Sequence, residues 1–459
     1  MVLLEYQKPK KVVSLILHIL DETLVKRYIV EFHERDFSGV LPRELKVAKV
    51  RGKATAIIGP RRAGKTYYLF SILKEDPQKY LYVDFENPVF YPMTARDFIR
   101  VLDAYRELYP EIQKPVVMLD EVQAVPDWER LVRYLLDTGH EVYLTGSSSK
   151  PLSAEVATHL RGRALTYTLL PLSFREFLLF RGVEYGERAF YRNYTRIKAL
   201  LGEYLEYGAY PEVALAPKEA REPILKEYLN VMIKRDVLER HRVRNVYLLN
   251  ELLYLSLRSY AKYVSIDSLY RLLKGRLKVT KMTIANYLTY LEEAFFLLLL
   301  RKYERSPKAR VVAPRKLYLI DTGLSLFGSK DIERDMENAV FIELMRMKSS
   351  NPRLEFYYWK SPSGHEVDFV VVEERRVKEL IQVSADLSDE KTRRREFLAL
   401  LNASKELKCK NLTVVTLNEE GVERVELYGM KGEIKLVPLT KWLMGREALR
   451  NEPETQLPV

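Results

Sequence analysis

Short apolar runs of β type alternate with longer stretches of helical spacing in the first third of the chain. The apolar runs lie at residues 55–58, 80–85, 116–119 and 142–144. Strands that are separated by helices form a parallel sheet whose faces are covered by those helices. Residues 51–170 are therefore predicted to form an α/β domain around a parallel sheet.

The alternation stops after Pro171, and the next residues have the spacing of amphipathic helices. Residues 171–245 are predicted to form a helical lid over the first domain. Residues 246–310 contain a short helix, a turn near Gly275, a longer helix and then an apolar run of strand character. That order is the outline of a winged helix-turn-helix module.

The last part of the chain returns to mixed strands and helices. Its predicted strands lie at residues 316–320, 356–359, 367–372, 379–383 and 412–417. This pattern indicates a separate α/β domain over residues 311–445. A lead-in segment at residues 1–50, in which Pro42 is placed to begin a helix, and a frayed tail at residues 446–459 complete the division.

A glycine-bearing turn separates the first predicted strand from the helical stretch that follows. Its residues are Gly59, Pro60, Arg61, Arg62, Ala63, Gly64, Lys65 and Thr66, followed by Tyr67. A nucleoside triphosphate needs backbone N–H donors in a tight loop, a mobile cation and a helix amino terminus. The glycines let the loop curl, Lys65 reaches the β- and γ-phosphates, and the Thr66 hydroxyl ligates Mg²⁺. The segment predicts a P-loop that binds ATP, although GTP would also fit.

Two adjacent acids end the apolar run at residues 116–119. Ligands of open α/β sheets bind at the carboxyl ends of the strands, so Asp120 and Glu121 are expected beside the P-loop. We expect Asp120 to hold Mg²⁺ and Glu121 to act as the general base on the attacking water. Side chains alternate along a strand, so the two acids need different roles or a bend between them. Asp84 and Glu86, at the end of the neighbouring strand, could contact metal or water, but we expect them to have a structural role.

Further polar groups follow the run at residues 142–144. Thr145 or Ser147 could sense the γ-phosphate, or could simply belong to a polar turn. Downstream, Arg161 and Arg163 are candidates for the arginine that neutralises charge in the transition state, acting on their own or a neighbouring subunit's nucleotide. Ordinary surface arginines are the alternative.

Composition narrows the class of protein. A chain of 459 residues, 47% of them apolar and 30% charged, is globular and too long for one core. The net charge of +12 favours polyanions such as DNA. The single cysteine, Cys409, fits a reducing cytosol. No apolar run approaches the ~20 residues of a membrane span, so we expect a cytoplasmic protein that does not contact the membrane.

The motifs together resemble a known family of archaeal and bacterial AAA+-like ATPases with a carboxyl-terminal domain of restriction-endonuclease-like fold. The resemblance rests on the P-loop, on residues 119–128 and 144–148, and on Arg161 to Arg163 followed by Pro-Leu-Ser-Phe-Arg-Glu-Phe at residues 171–177. It implies ATP hydrolysis with Mg²⁺, DNA as a partner, and the order ATPase core, helical lid, winged helix and nuclease-like domain.

The carboxyl-terminal domain departs from the pattern of an active nuclease. Glu343 could be the helix acid and Asp368 the strand aspartate, but Gln382 and Ser384 stand where an acid and a lysine are needed. An amide binds Mg²⁺ more weakly than a carboxylate, and serine supplies no positive charge. We therefore expect a domain that binds or docks without cutting.

Basic residues surround the longer helix of the predicted winged helix. They are Lys274, Arg276, Lys278 and Lys281, next to a polar helix face of Thr280, Thr283 and Asn286. Such a helix could enter a major groove with its lysines on phosphates, or could be a solvated face. Three functions follow: a DNA-associated ATPase, a nucleotide-controlled protein scaffold, or a nuclease. The oligomeric state, including a homo-oligomer, is left open.

Overall fold

The computed structural model describes residues 20–146 and 160–445. Their first sheet has five parallel strands in the order β2-β3-β4-β1-β5. The strands are β1 (Ala54–Ile58), β2 (Tyr80–Asp84), β3 (Val116–Asp120), β4 (Val142–Gly146) and β5 (Ala164–Thr168). The four predicted strands coincide with β1 to β4. The edge strand β5 was missed, because its alternating polar residues are only half-buried.

Helices cover the first sheet because their apolar residues recur at helical spacing. The helices are α1 (Glu22–His33), α2 (Lys65–Leu73), α3 (Phe98–Leu108) and α4 (Trp128–Asp137). In α3, for example, Phe98, Val101, Leu102 and Tyr105 are buried while the charged positions between them face outward. The expected helix at Pro42 is absent, and this segment runs without regular structure over α5.

Residues 171–245, which were predicted to form a helical lid, contain a series of helices. They are α5 (Phe174–Phe180), α6 (Glu187–Arg192), α7 (Tyr194–Tyr207), α8 (Pro211–Leu215) and α9 (Lys218–Val231). The chain begins α5 with a capping box between Ser173 and Glu176. After α9 the helix continues as a π-helical segment, Met232–Glu239.

A three-stranded sheet with its helices follows. The elements are α10 (Val246–Arg258), β6 (Lys262–Val264), α11 (Ile266–Leu273), α12 (Lys281–Glu293), β7 (Leu297–Leu300), α13 (Pro307–Val312) and β8 (Arg315–Leu319). The strand order is β6-β8-β7, and β8 is antiparallel to both neighbours. The strand predicted at residues 316–320 therefore exists, but the expectation that it belongs to the carboxyl-terminal sheet is wrong.

The carboxyl-terminal sheet has six strands in the order β13-β14-β12-β11-β10-β9. Its elements are α14 (Ile332–Ser350), β9 (Leu354–Lys360), β10 (Glu366–Glu373), β11 (Arg376–Ser384), α15 (Glu390–Leu407), β12 (Leu412–Thr416), β13 (Gly421–Leu427), β14 (Met430–Pro438) and α16 (Leu439–Met444). Predicted strands coincide with β9 to β12. The hairpin of β13 and β14 was missed, although Tyr428 and Gly429, both with positive φ, form the two-residue turn typical of hairpins. No helix in residues 20–146 and 160–445 is long and apolar enough to cross a membrane.

Candidate nucleotide site

The loop between β1 and α2 has a backbone shape that only its glycines permit. Gly64, which precedes α2, has φ 94° and ψ 26°, in the left-handed region. A side chain on Gly59 would collide with the chain after β5, since its Cβ would lie 2.1 Å from the Leu169 carbonyl oxygen. Because α2 begins directly after the loop, its first backbone N–H groups are available to an anion there.

Lys65 lies inside this loop and is 5% exposed. Its ammonium donates to the carbonyl oxygens of Gly59 at 3.1 Å and Pro60 at 3.0 Å. Burial lowers the pKa of Lys65, and the carboxylates of Glu121 and Asp120 oppose this shift. Phosphate oxygens would offer the ammonium charged acceptors in place of carbonyls, and charge-assisted hydrogen bonds are the stronger kind.

Asp120 brings the predicted magnesium ligands together at the end of β3, where it is 2% exposed. Its Oδ2 accepts hydrogen bonds from the Thr66 hydroxyl at 2.7 Å and the Tyr82 hydroxyl at 2.8 Å, and its Oδ1 accepts from Thr145. Mg²⁺ prefers hard oxygen ligands and is held by one or two carboxylates together with phosphate oxygens and water. The hydroxyl of Thr66 and the carboxylate of Asp120 fit that cation.

Glu121 follows Asp120 in a left-handed backbone conformation, with φ 52° and ψ 49°. This bend is the one that two adjacent functional acids require, because it turns Glu121 out of the strand alternation. The Glu121 backbone N–H donates to the Thr145 hydroxyl at 3.1 Å, and the Gln123 amide donates to its carboxylate. The two acids therefore have separate surroundings, and only Asp120 contacts Thr66.

Of the two candidate sensor residues, the structure describes only Thr145. Thr145 bridges Asp120 and the Glu121 backbone from β4, so its hydroxyl positions the two acids. Ser147 lies outside the described residues. Asp84, at the end of β2, has its pKa raised by burial, and its Oδ1 accepts the Glu86 backbone N–H at 2.9 Å.

Arg161 and Arg163 lie at the wrong edge of the sheet for their own P-loop. In the parallel register Ala54 pairs with Ala164 and Ile58 with Thr168, so both arginines precede β5 at the amino-terminal edge. The P-loop leaves β1 at the opposite edge, about 13 Å away along four residues of strand. Arg163 instead pairs with Asp137 at 2.5 Å. Of the two alternatives that the sequence left open, this register favours the nucleotide of a neighbouring subunit over that of the same chain.

The two arginines of the P-loop contact the helical lid. Arg61 Nε lies 3.0 Å and 3.1 Å from the carboxylate oxygens of Asp236, in the π-helical segment. The Arg62 guanidinium lies over the Tyr228 ring of α9, 5.6 Å from its centroid. The backbone of Arg62 has φ 65°, which turns the loop between these two contacts. The sequence contains no signal for either contact, because their partners lie far along the chain.

A buried network of charged residues joins the P-loop to the rest of the molecule. Arg43 donates to the Ala63 carbonyl at 2.7 Å and pairs with Glu176 at 2.9 Å. The neighbouring Arg175 pairs with Glu44 at 2.5 Å and lies 3.5 Å from Glu343 of α14. The Phe-Arg-Glu-Phe part of the sequence motif is thus an anchor for the lead-in segment and the carboxyl-terminal domain.

This network corrects the expected nuclease centre. Glu343 pairs with Arg346 at 2.9 Å and with Arg175, so it does not face Asp368. The acid of α14 that does face this region is Glu337, which shares the Lys316 ammonium with Asp368. Helix positions six apart point in directions about 120° apart, so the two acids of α14 lie on different faces.

Lys316 supplies the positive charge that Ser384 cannot. It reaches in from β8, is 3% exposed, and its ammonium lies 2.9 Å from Glu337, 2.8 Å from Glu366 and 2.8 Å from Asp368. The second oxygen of Asp368 accepts the Val383 backbone N–H at 3.0 Å. Gln382 accepts the Asp368 backbone N–H at 3.2 Å. The Asp368 carboxylate is thereby occupied by the ammonium and the backbone of β11.

The predicted DNA-contacting face lies on α11 and α12. Lys274, Arg276, Lys278 and Lys281 are all exposed. Thr280 caps α12 by accepting the Thr283 backbone N–H at 3.1 Å, so its hydroxyl is engaged in the helix start. Asn286 is exposed one turn further along. Lys281 pairs with Asp267 at 2.5 Å, and Thr280 has a structural task. Lys274, Arg276 and Lys278, in the turn before α12, are the basic residues that are exposed to a polyanion.

Comparison with known proteins identifies the class of the first domain and the family to which the chain belongs. Residues 51–178 match the family model of the AAA domain, residues 198–329 a domain of unknown function, DUF8612, and residues 334–442 another, DUF4143. The chain thus contains an AAA-type P-loop ATPase domain. It is 35% identical over 410 residues to the uncharacterized protein MJ1544 of Methanocaldococcus jannaschii, covering 88% of this chain and 91% of that protein. The chain belongs to the family of that protein.

Other similar proteins were found at lower identity. An uncharacterized protein of Haemophilus influenzae is 29% identical over 304 residues, which cover 63% of this chain and 74% of that protein. Among solved structures, the Walker-type ATPase PABY2304 of Pyrococcus abyssi is 16% identical with a TM-score of 0.40, covering 67% of this chain and 95% of that one. The RuvB Holliday junction branch migration motor of Thermotoga maritima is 14% identical with a TM-score of 0.26, covering 64% and 92%.

Proposed function

We propose that this chain is a Mg²⁺-dependent ATPase that couples ATP binding and hydrolysis to DNA binding or remodelling. The observation that supports it most is the contact of the Thr66 hydroxyl with the Asp120 carboxylate, beside the buried ammonium of Lys65. A phosphate-binding cation and a pair of hard oxygen ligands are what a triphosphate and its metal need.

Each residue of the site has an assigned role in this proposal. Residues 59–67 bind the phosphates through backbone N–H groups, and Lys65 exchanges its carbonyl acceptors for phosphate oxygens. Thr66 and Asp120 would hold Mg²⁺, which when bound neutralises charge on the β- and γ-phosphates. The Glu121 carboxylate, oriented by the Gln123 amide, accepts a proton from the attacking water.

Turnover by matched variants tests the ATPase part. Lys65→Ala is expected to bind no ATP, and Glu121→Gln is expected to bind ATP and hydrolyse it about 100-fold more slowly or worse. Lys53→Ala and Glu75→Gln are the controls, because both side chains are exposed and lie outside the site. Normal turnover by Lys65→Ala and Glu121→Gln would rule out the assignment.

DNA is the proposed partner of the module formed by α10 to β8. Its order is helix, strand, two helices, strand, short helix and strand. Together with the sheet order β6-β8-β7, this order supports the assignment as a winged helix. Beyond the predicted basic face, the loop before α10 adds further exposed arginines. These are Arg240, Arg242 and Arg244, and the loop is fixed to α12 by His241, whose ring stacks on Tyr290 at 3.9 Å.

Salt dependence distinguishes phosphate contacts from other modes of binding. Replacing Lys274 and Lys278 together by alanine is expected to weaken duplex binding for every sequence and to reduce the salt slope by about 2. The control pair is Lys405→Ala with Lys410→Ala, which removes the same charge from an exposed part of the carboxyl-terminal domain. ATP turnover with single-stranded, duplex and branched DNA then tests coupling, since stimulation identifies the partner.

A nucleotide-controlled protein scaffold is the second candidate function. The observation that favours it is the exposure of two apolar side chains on the same helix pair, Leu272 at 55% and Met282 at 69%. An apolar contact would depend little on salt. If the chain does not bind DNA, or if its DNA binding does not depend on salt, the scaffold is favoured over the DNA-coupled ATPase.

Arg161 and Arg163 keep a proposed role only toward a neighbouring copy, in a homo-oligomer. Both side chains are exposed at the far edge of the sheet, where Arg163 also pairs with Asp137, and this position supports a role toward another subunit. Mixing Lys65→Ala chains with chains carrying Arg161→Ala and Arg163→Ala tests this, because some mixed contacts would combine an intact P-loop with intact arginines. Turnover of the mixture above that of either variant alone is the expected result, and no recovery contradicts it.

A further inference from the structure

The transferred phosphate needs a positive charge that Arg161 and Arg163 cannot give within their own chain. Phosphoryl transfer spreads negative charge over the oxygens of the γ-phosphate, and an arginine that faces them stabilises the transition state. Within the described residues, Arg61 is the arginine of the P-loop that pairs with a buried carboxylate, Asp236. Burial lowers the pKa of Arg61, but the charges of Asp236, Glu121 and Glu86 outweigh burial and raise it.

The Arg61 guanidinium is fixed by one edge only. Its Nε bonds to both carboxylate oxygens of Asp236, at 3.0 Å and 3.1 Å, and its side chain is 22% exposed. Neither terminal nitrogen bonds to another residue in the part of the chain that the structure describes. Arginine presents its N–H groups as a rigid planar fork that matches phosphate oxygens. The terminal nitrogens are therefore left to a ligand.

Asp236 is built to hold this arginine. Its side chain is 5% exposed, and a buried carboxylate is costly unless it is paired. It stands in the π-helical segment Met232–Glu239, a backbone form that is rare and frequent at functional sites. Buried Met232, Ile233 and Val237 anchor the same segment, so the carboxylate cannot move far without disturbing their packing.

The arginine belongs to the same loop as the lysine that is expected to bind the phosphates. The buried Lys65 ammonium donates to the carbonyl oxygens of Gly59 at 3.1 Å and Pro60 at 3.0 Å. Arg61 follows Pro60 directly, so its side chain leaves the loop next to the carbonyl groups that hold this lysine.

We propose that Arg61 contacts the γ-phosphate of ATP bound to its own chain, and that Asp236 is the positioning residue that holds Arg61 there. The assignment rests on the proposed ATPase function and adds to it a cation supplied in cis by the P-loop itself. It also gives the helical lid a defined task, because the carboxylate that orients the arginine comes from the lid.

Discrimination between ATP and ADP tests the contact directly. Binding of ADP and of a non-hydrolysable ATP analogue, each with Mg²⁺, is measured by calorimetry. Arg61→Ala is expected to weaken the ATP analogue roughly 10- to 100-fold, since a hydrogen bond to a charged group is lost, while ADP changes much less. Arg61→Lys keeps the positive charge but lacks the planar fork of N–H groups, so it should recover part of the lost affinity. It also keeps the test valid if Arg61→Ala fails to fold. Equal loss for both nucleotides would overturn the contact.

A double-mutant cycle tests the positioning role of Asp236. If Asp236 acts through Arg61, Asp236→Ala weakens the ATP analogue, and adding it to Arg61→Ala causes no further loss. Asp236→Asn should lose less affinity for the ATP analogue than Asp236→Ala does. If Asp236 had only a structural role, its replacement would leave the ratio of ATP to ADP affinity unchanged. Additive losses, or tighter ATP binding by Asp236→Ala, would overturn this role, the latter by showing that Asp236 competes with phosphate.

Two controls separate this inference from the function on which it rests. Arg51→Ala removes an equal charge from an exposed turn before β1, and Glu239→Ala removes an exposed acid from the π-helical segment. Both should keep the parent ratio of ATP to ADP affinity. If the parent chain binds neither nucleotide, the proposed ATPase function fails; if it binds both and Arg61→Ala keeps the parent ratio, only the present inference fails.

Discussion

Removal of the buried ammonium of Lys316 is the sharpest test of how the carboxyl-terminal domain is held. Lys316 comes from the three-stranded sheet, whereas Glu337, Glu366 and Asp368, which surround its ammonium at 2.8–2.9 Å, come from α14 and β10. The variant Lys316→Met keeps much of the volume of the side chain. It leaves three carboxylates without their shared cation.

The expected loss of stability is large and depends on pH. Breaking a buried ion pair by removing one partner costs about 3–5 kcal/mol. With the ammonium present, burial and the Asp368 carboxylate already raise the pKa of Glu337 to about 7 from 4.5. A carboxyl group whose pKa is raised in the fold contributes stability below its unfolded value, and that contribution is lost as pH rises through the folded value. Without Lys316 the pKa rises further, so the deficit should be largest at about pH 8 and smaller at about pH 5.

Amide hydrogen exchange locates the effect, and a thermal melt gives its size. Protection in β10 and α14 should fall in Lys316→Met, whereas protection in the P-loop domain should change little. The matched control is Lys431→Met on the hairpin of the same sheet, where the exposed Lys431 pairs with Glu426 at 3.0 Å. Exposed pairs contribute little, so this variant should behave like the parent. A small, pH-independent change in Lys316→Met, equal to that of the control, would refute the reasoning.

The remaining predictions concern the loop, a buried acid and the anchor. Gly59→Ala places a Cβ 2.1 Å from the Leu169 carbonyl oxygen, so calorimetry should show ATP and ADP affinity lowered by at least about 10-fold. Burial raises the pKa of Asp321 to about 7 from 3.8; the stability this carboxyl contributes is complete below about pH 4 and lost as pH rises to about 7, and Asp321→Asn should flatten that part of the pH profile. Arg175→Ala leaves Glu44 without its 2.5 Å partner and should lower the unfolding free energy by about 2–3 kcal/mol in chemical denaturation.

The parts of the site that the sequence predicts are those whose geometry is local. The P-loop is one continuous run, and the bounds of β1 and α2 agree with its strand-loop-helix setting. The need for a bend between Asp120 and Glu121 also follows from strand alternation, and the left-handed backbone at Glu121 meets it. The register that brings Tyr82 beside Asp120 is a property of the sheet, and no short pattern encodes it.

Contacts between distant segments could not be predicted from one sequence. Arg61 and Asp236 are 175 residues apart, and Lys316 and Asp368 are 52 apart. Arg161 lies shortly after the last predicted strand in the sequence. The edge of the sheet at which it lies is set by β5, a strand that was not predicted. Glu343 was predicted to be the helix acid, but Glu337 faces Asp368, because helix position alone does not reveal which neighbouring element each face meets. In each case the missing knowledge is tertiary packing.

Charged groups connect the P-loop to the helical lid, to the lead-in segment and, through Glu176, to the carboxyl-terminal domain. Arg61 of the loop meets the lid at Asp236, while the Ala63 carbonyl receives Arg43, which pairs with buried Glu176. The charge of Arg346, from α14, acts on Glu176 in turn. Buried charges tolerate little separation, because each carries its own desolvation penalty once unpaired. A loop that closes on a triphosphate would shift these partners together or break their pairs, so we expect the lid and the carboxyl-terminal domain to respond to the nucleotide.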